Sequence, residues 1–244
     1  MPPRFLSLGD SALVVELGDA IERSVLDEVA ALDRAVLAAV RAGRLEGVLE
    51  TVPTYRSLAV VYDPLRTTRA TLERRIAPLL ARRRTSAARR TRTFRLPVCY
   101  GGEHGPDLDA VAEASGLAPA DVVLLHQRET YDVYVLGFLP GFAFMGDVAA
   151  PLRLPRRADP RTRVPAGSVA IAGQQTAIYP WQSPGGWHLL GRCPVPLFDA
   201  RRSPPALLAP ADRVVFEAVD AARFRELEAA FAAGKIAPEE LVTA

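Results

Sequence analysis

Apolar residues along this chain keep two different periods, and the change of period divides it. Ile21, Val25, Val29, Leu32, Val36 and Val40 fall three and four apart, which predicts an amphipathic helix over 19–41. Asp19 and Glu22 have the spacing of a capping box, and Gly43 supplies a stop. Strands are predicted on either side, at 4–8 and 12–17 before the helix and at 47–54 and 57–63 after it. A second helix is expected at 68–83, burying Leu72, Ile76, Leu79 and Leu80, with Pro78 as a kink or an early end. Two helices over one face of an antiparallel sheet make a small α/β unit of ferredoxin-like style.

The second half opens on a strand at 93–100, followed by a short helix that Asp107 caps and Gly116 ends. Another helix, 120–128, carries Val122, Val123, Leu125 and His126. The rhythm then changes to short strands between Gly and Pro turns, at 131–138, 168–173, 176–179, 187–190 and 213–218. Many short strands predict a β-barrel or sandwich rather than a wound parallel sheet. A last helix, capped by Asp220, buries Phe224, Leu227 and Phe231. Between the halves lies a run at 82–92 with six Arg and no acid. No aromatic is interleaved for base stacking, so it reads as a helix end and a solvated linker, not a nucleic-acid site. The fold class is therefore α+β, with domains 1–88 and 89–244.

Composition narrows the chemistry. At 244 residues the chain allows one or two domains, and a net charge of +2 gives it no general pull toward nucleic acid or membrane. Of 30 basic residues, 29 are Arg and only Lys235 is Lys, a bias that genomic base composition explains. Near the end of a charged helix, Lys235 suits neither a P-loop nor a Schiff base. Cys99 and Cys193 form no disulfide framework and fit a reducing compartment. The longest apolar stretch, 134–145, is broken by Gly137, Pro140 and Gly141 and is too short to span a bilayer. A cytoplasmic protein without a membrane segment is expected.

Several active-site types are absent. Cys99 and His104 are spaced like two metal ligands, but no second pair follows, so no metal is expected. Ser168 lies in AGSVA, which is not a nucleophile elbow, and no strand leads into G-x-G-x-x-G. What remains is a concentration of Gly, Pro, aromatic and Arg residues between Gly137 and Arg192. GFLPGFAFMGD sets Phe138, Phe142 and Phe144 among turn residues, either as walls of a small pocket or as the filling of a barrel corner. LPRRADPRTRVPAGS spaces Arg156, Arg157, Arg161 and Arg163 with prolines, either to grip a carboxylate or phosphate or as a solvated loop. YPWQSPGGWHLLGR places Pro184, Gly185 and Gly186 beside Trp187, as an anion nest or a tight hairpin, and follows Gln174, Gln175 and Thr176. Together the three segments point to a small anionic or amide-bearing molecule.

These same segments, with PVCYGGEHGPDLDAVA, GDSALVVELGDAI and VPTYRSLAVVYDP, closely resemble the 5-oxoprolinase B-subunit family, also called PxpB or KipI and allophanate hydrolase subunit 1. The resemblance runs over nearly the whole chain. It implies a small α/β N-terminal domain followed by a cyclophilin-like β-barrel, and a partner, the KipA-like C subunit of 5-oxoprolinase. With that partner and the A subunit of the same enzyme, it implies ATP-dependent opening of 5-oxoproline to glutamate, ATP and magnesium acting at the level of the complex. Related functions are inhibition of a sensor histidine kinase and carboxyl transfer of the urea carboxylase or allophanate type.

Matched to the motifs, His126, Arg156 and Arg161 are the expected catalytic residues, His126 as a proton relay or simply as a buried helix histidine. Phe138, Phe142, Gln175, Pro184, Gly185, Gly186, Trp187 and Arg192 are expected to bind substrate. The chain departs from the family's GFPYL at Gly141–Met145, losing a phenol hydroxyl, and from its GRT at Cys193, where a thiol replaces a hydroxyl.

Overall fold

Leu13 and Val15 on one strand and Leu58, Val60 and Tyr62 on its neighbour all point to the same side of a sheet, where two helices cover them. The computed structural model describes residues 2–82 and 91–243. These fall into two compact units, 1–90 and 91–244. The boundary expected at residue 88 and most of the Arg-rich run lie outside the described residues.

The first unit runs β1 (Arg4–Leu8), β2 (Ala12–Glu16), α1 (Arg23–Arg41), β3 (Val48–Pro53), β4 (Ser57–Tyr62) and α2 (Arg69–Arg82). Its antiparallel sheet has the order β1-β2-β4-β3. The arrangement β2-β4-β3 with its two helices is the ferredoxin-like one. The edge that such a fold usually fills with its last strand is filled here by the first, β1. Helix α1 starts later than the capping-box reading placed it, because Glu22 is extended and makes no side-chain cap. Pro78 sits inside α2 on an exposed position, where the missing N–H leaves one carbonyl to solvent.

The second unit runs β5 (Thr93–Tyr100), α3 (Leu108–Ser115), α4 (Pro119–Arg128), β6 (Tyr131–Leu136), β7 (Ala143–Gly146), β8 (Arg161–Val164), β9 (Ser168–Ala172) and β10 (Gln175–Ile178). It continues through β11 (Ser183–Gly185), β12 (His188–Arg192), β13 (Arg213–Ala218), α5 (Ala221–Ala232) and β14 (Val242–Thr243). Seven strands close into a barrel in the order β12-β9-β10-β7-β6-β13-β5, and β5 pairs back onto β12. β13 lies parallel to β5 along its whole length. The other edge of β5 is shared, by β14 at its start and β12 at its end. A separate ribbon pairs β8 with β11.

Side-chain alternation sorts the barrel wall. Val169 and Ile171 of β9, Ile178 of β10 and Leu190 of β12 join Phe94, Leu96, Val98, Val214 and Phe216 in the main core. The intervening Ala170, Ala172, Ala177 and Leu189 belong to a second cluster, with Val164 of the ribbon. Strand β9 is therefore buried on both faces, although it lies in a largely antiparallel barrel.

Closure leaves no room at Gly191. A Cβ there would lie 2.6 Å from the Cys99 carbonyl oxygen and 2.8 Å from Val98 Cγ1. Gly191→Ala is expected to destabilise the second unit by about 1–3 kcal/mol, the usual cost of overpacking, read as a lower denaturant midpoint for the unfolding of that unit.

Candidate functional site

Small side chains on the outer faces of β9 and β10, those of Ala170, Ala172 and Ala177, pack against a group of larger aromatic residues. Phe142 is the centre of this arrangement, with ring centroids 4.7 Å from Phe144, 5.2 Å from Tyr179 and 6.0 Å from Trp187. The angles to Tyr179 and Trp187 are near perpendicular, the edge-to-face geometry that aromatic quadrupoles favour. Phe138 stands at the rim, 62% exposed, its ring edge-on to Phe142 at 5.3 Å. Its φ of 66° is in the left-handed region, a costly place for a bulky residue.

These rings line a cavity of about 330 Å³, completed by Arg156, Arg157, Pro160, Pro184, Gly185 and Gly186. The ribbon supplies Pro184 and Gly185, and the chain leading into β8 supplies the arginines. The Arg157 N–H donates to the Gly186 carbonyl at 2.8 Å, which ties that segment to the Pro-Gly-Gly turn. His188 Nε2 donates to the Pro155 carbonyl at 2.8 Å and fixes the same segment from below.

Behind this wall sits Asp107, buried and charged. One carboxylate oxygen accepts from Arg157 at 2.9 Å and Arg161 at 2.7 Å; the other accepts from Arg161 at 2.8 Å and the Leu189 N–H at 2.7 Å. Burial alone would raise the Asp107 pKa, but these donors outweigh it and hold the carboxyl below its usual value. The sequence reading of Asp107 as a helix cap is corrected: its side chain makes no cap bond to α3. Arg161 is thus engaged with Asp107 rather than open to the cavity, whereas Arg156 is exposed and has no hydrogen-bond or ion-pair partner among the described residues.

Of the other expected site residues, the structure gathers Phe138, Phe142, Arg156, Pro184, Gly185, Gly186 and Trp187 at this cavity. Gln175 starts β10 opposite Ala172 and Gly146, outside the lining. Arg192 donates to the Ala166 carbonyl at 2.9 Å and lies over the Phe224 ring, which joins β12 to α5. Pro160 and Tyr179 were not singled out from the sequence. Tyr179, one residue past β10, continues the outward alternation of Ala177, which is the one signal the sequence offers for it.

His126 corrects the proton-relay reading. It is 0% exposed, stacked on Phe216 at 4.6 Å, and absent from the cavity lining. Thr176 gives its hydroxyl proton to the Ala170 carbonyl at 3.1 Å, so it accepts from His126 Nε2–H at 2.9 Å. Nδ1 then accepts from the Tyr100 hydroxyl at 2.7 Å. Burial pushes the His126 pKa down to about 3, and the ring is neutral at neutral pH.

Among the described residues, no three His, Cys, Asp or Glu side chains gather as a metal site. The cavity wall carries neither carboxylate nor lysine, and Asp107 is already saturated, so its residues do not fit a magnesium nucleotide. No helix of the described residues is long and apolar enough to cross a membrane.

Fold and cavity together define a barrel protein with an aromatic-walled cavity on the outer face of its wall. The family described as carboxyltransferase domain, subdomain C and D, matches residues 3–208. The chain is 37% identical over 223 residues to the B subunit of 5-oxoprolinase from Bacillus subtilis, covering 86% of this chain and 90% of that protein. The crystal structure of TTHA0988 superposes with a TM-score of 0.74 at 41% identity, over 86% of this chain. The match spans only 40% of the TTHA0988 chain. The urea amidolyase of K. lactis, at 19% identity and a TM-score of 0.75 over 93% of this chain and 15% of its own, shares the fold. The chain belongs to the 5-oxoprolinase B-subunit family.

The buried histidine generates a pH test. Unfolded, His126 takes a proton below about pH 6.5; folded, it does so only near 3. Stability is therefore full above pH 6.5 and falls between 6.5 and 3 by about 1.4 kcal/mol per pH unit from this group. His126→Gln is expected to flatten that part of the urea-midpoint profile; an unchanged slope would show that the ring is not held neutral.

Proposed function

We propose that this chain is the B subunit of an ATP-dependent 5-oxoprolinase, active with the KipA-like C subunit and the A subunit of that enzyme, and that its cavity receives 5-oxoproline. The observation that carries the reading is an aromatic-walled space of about 330 Å³ with one unpaired guanidinium, Arg156, at its edge. A five-membered lactam bearing a carboxylate has the size, the apolar ring and the charge for such a place. The relatives named as B subunits of 5-oxoprolinase support the same assignment.

In this reading Arg156 holds the carboxylate, while Phe142, Tyr179 and Trp187 pack the ring and keep bulk water away. Phe138, at the rim, closes over the ligand. Ring opening breaks the amide C–N bond; the oxygen from water ends in the new side-chain carboxylate, and the nitrogen becomes the amino group of glutamate. Activation of the amide oxygen at the expense of ATP belongs to the assembled complex, and no residue of this cavity is assigned to it.

The purified chain and its A-type and C-type partners, mixed with ATP and 5-oxoproline, are expected to form glutamate only when all three proteins are present. Arg156→Ala in that mixture is expected to lower kcat/KM by roughly a hundredfold, the loss of a charge-assisted hydrogen bond. Absence of glutamate from the full mixture would sink the reading, and full activity of Arg156→Ala would remove the assigned site.

A further inference from the structure

Tyr179 carries the one hydroxyl in the cavity wall. Its backbone is pinned, the N–H donating to Ser168 at 2.9 Å and the carbonyl accepting from Gly167 at 2.7 Å. Its ring is wedged edge-on against Phe142, with Phe138 beyond at 6.5 Å. This packing leaves the residue only 2% exposed, yet among the described residues its hydroxyl has no hydrogen-bond partner.

A phenol so nearly buried normally finds a partner; this hydroxyl is not among the polar atoms shut away from solvent, so it opens onto the cavity, where a ligand can meet it. The fold also makes room for this one specifically. Gly185 is in an ordinary backbone conformation, but a Cβ there would overlap the Tyr179 hydroxyl oxygen. Glycine at 185 is thus explained by the phenol rather than by the turn. Both residues line the cavity, so the hydroxyl sits at its wall. Burial raises the Tyr179 pKa against the lowering effect of Arg156 and Arg161, so the group is a protonated donor at neutral pH.

We infer that Tyr179 is the specificity-determining hydrogen-bond donor of this cavity, reading a carbonyl oxygen on a small ring-bearing anion whose charge Arg156 holds. The inference deepens the 5-oxoproline reading and rests on it for its choice of probe. Cyclopentanecarboxylate keeps the ring size and the carboxylate but lacks both the ring carbonyl and the lactam N–H, so the Tyr179→Phe variant is what assigns the difference to the hydroxyl.

The test is equilibrium binding to the full-length chain without ATP, by calorimetry, using 5-oxoproline and cyclopentanecarboxylate. Wild-type protein is expected to bind 5-oxoproline about tenfold more tightly than cyclopentanecarboxylate, the effect of one hydrogen bond. Tyr179→Phe keeps the ring packing and is expected to abolish that preference, leaving cyclopentanecarboxylate within about twofold. A preference that survives in Tyr179→Phe overturns the inference, as does wild-type protein that shows no preference or does not bind 5-oxoproline. Where the variant fails to fold, wild-type binding of 3-oxocyclopentanecarboxylate, which has a ring carbonyl and no N–H, decides: affinity no better than that of cyclopentanecarboxylate overturns the inference. Turnover in the full mixture without Tyr179-dependent binding removes this inference and keeps the functional reading; such binding without turnover does the reverse.

Discussion

The carboxylate of Asp107 accepts four hydrogen bonds in a place shielded from water, and the geometry of the cavity follows from how they are satisfied. A buried charge stripped of one partner is far less stable than either a complete cluster or none, so the arrangement is close to all or nothing. Its partners come from two directions. Leu189 is part of the barrel wall, whereas Arg157 and Arg161 belong to the segment that runs into the ribbon. Meeting at one carboxylate, they hold the arginine-rich segment at a set height above the barrel. Arg156, one residue from this anchor, inherits a fixed backbone while its own side chain stays open.

The same wall is supported from its other face by neutral polar groups. Tyr100, His126 and Thr176 form a chain of hydrogen bonds that ends on the Ala170 carbonyl, in β9. Each proton in that chain has one place to go, which fixes the tautomer without any charge. Charge is used where partly exposed arginines can meet it, Arg157 and Arg161 at Asp107 and Arg92 at the fully buried Asp212, while His126 in the barrel stays neutral. That division agrees with the cost of burying an ion compared with a neutral imidazole.

Much of the architecture was legible from local pattern. β5 and β13 have the expected bounds because both are long apolar runs with strong strand formers, and Asp220 caps α5 as its position promises. β7, β8 and β11 were hidden because their Gly, Pro and Arg content is that of loops; tertiary pairing overrides it. The three segments that form the cavity were also legible, since Gly, Pro, aromatic and Arg residues concentrate there. Individual roles were less so. Residue type left His126 open as a relay or a buried helix histidine, and its spacing of four from the buried Val122, on the inner stripe of α4, favours the second. Asp107 carries the local signal of a cap, and only the folded chain shows two arginines, 50 and 54 residues later, competing for it.

Neighbouring residues along β9 serve different ends. Val169 and Ile171 face the interior; Ala170 and Ala172 face outward, into the cluster of Phe142, Tyr179 and Trp187. All five residues of the strand are buried, so its inner positions answer to the barrel core and its outer ones to the aromatic rings packed on them. Sequence identity averaged over such a segment mixes two separate packing constraints. Read separately, the alternate positions report on the barrel and on the rings that back the cavity.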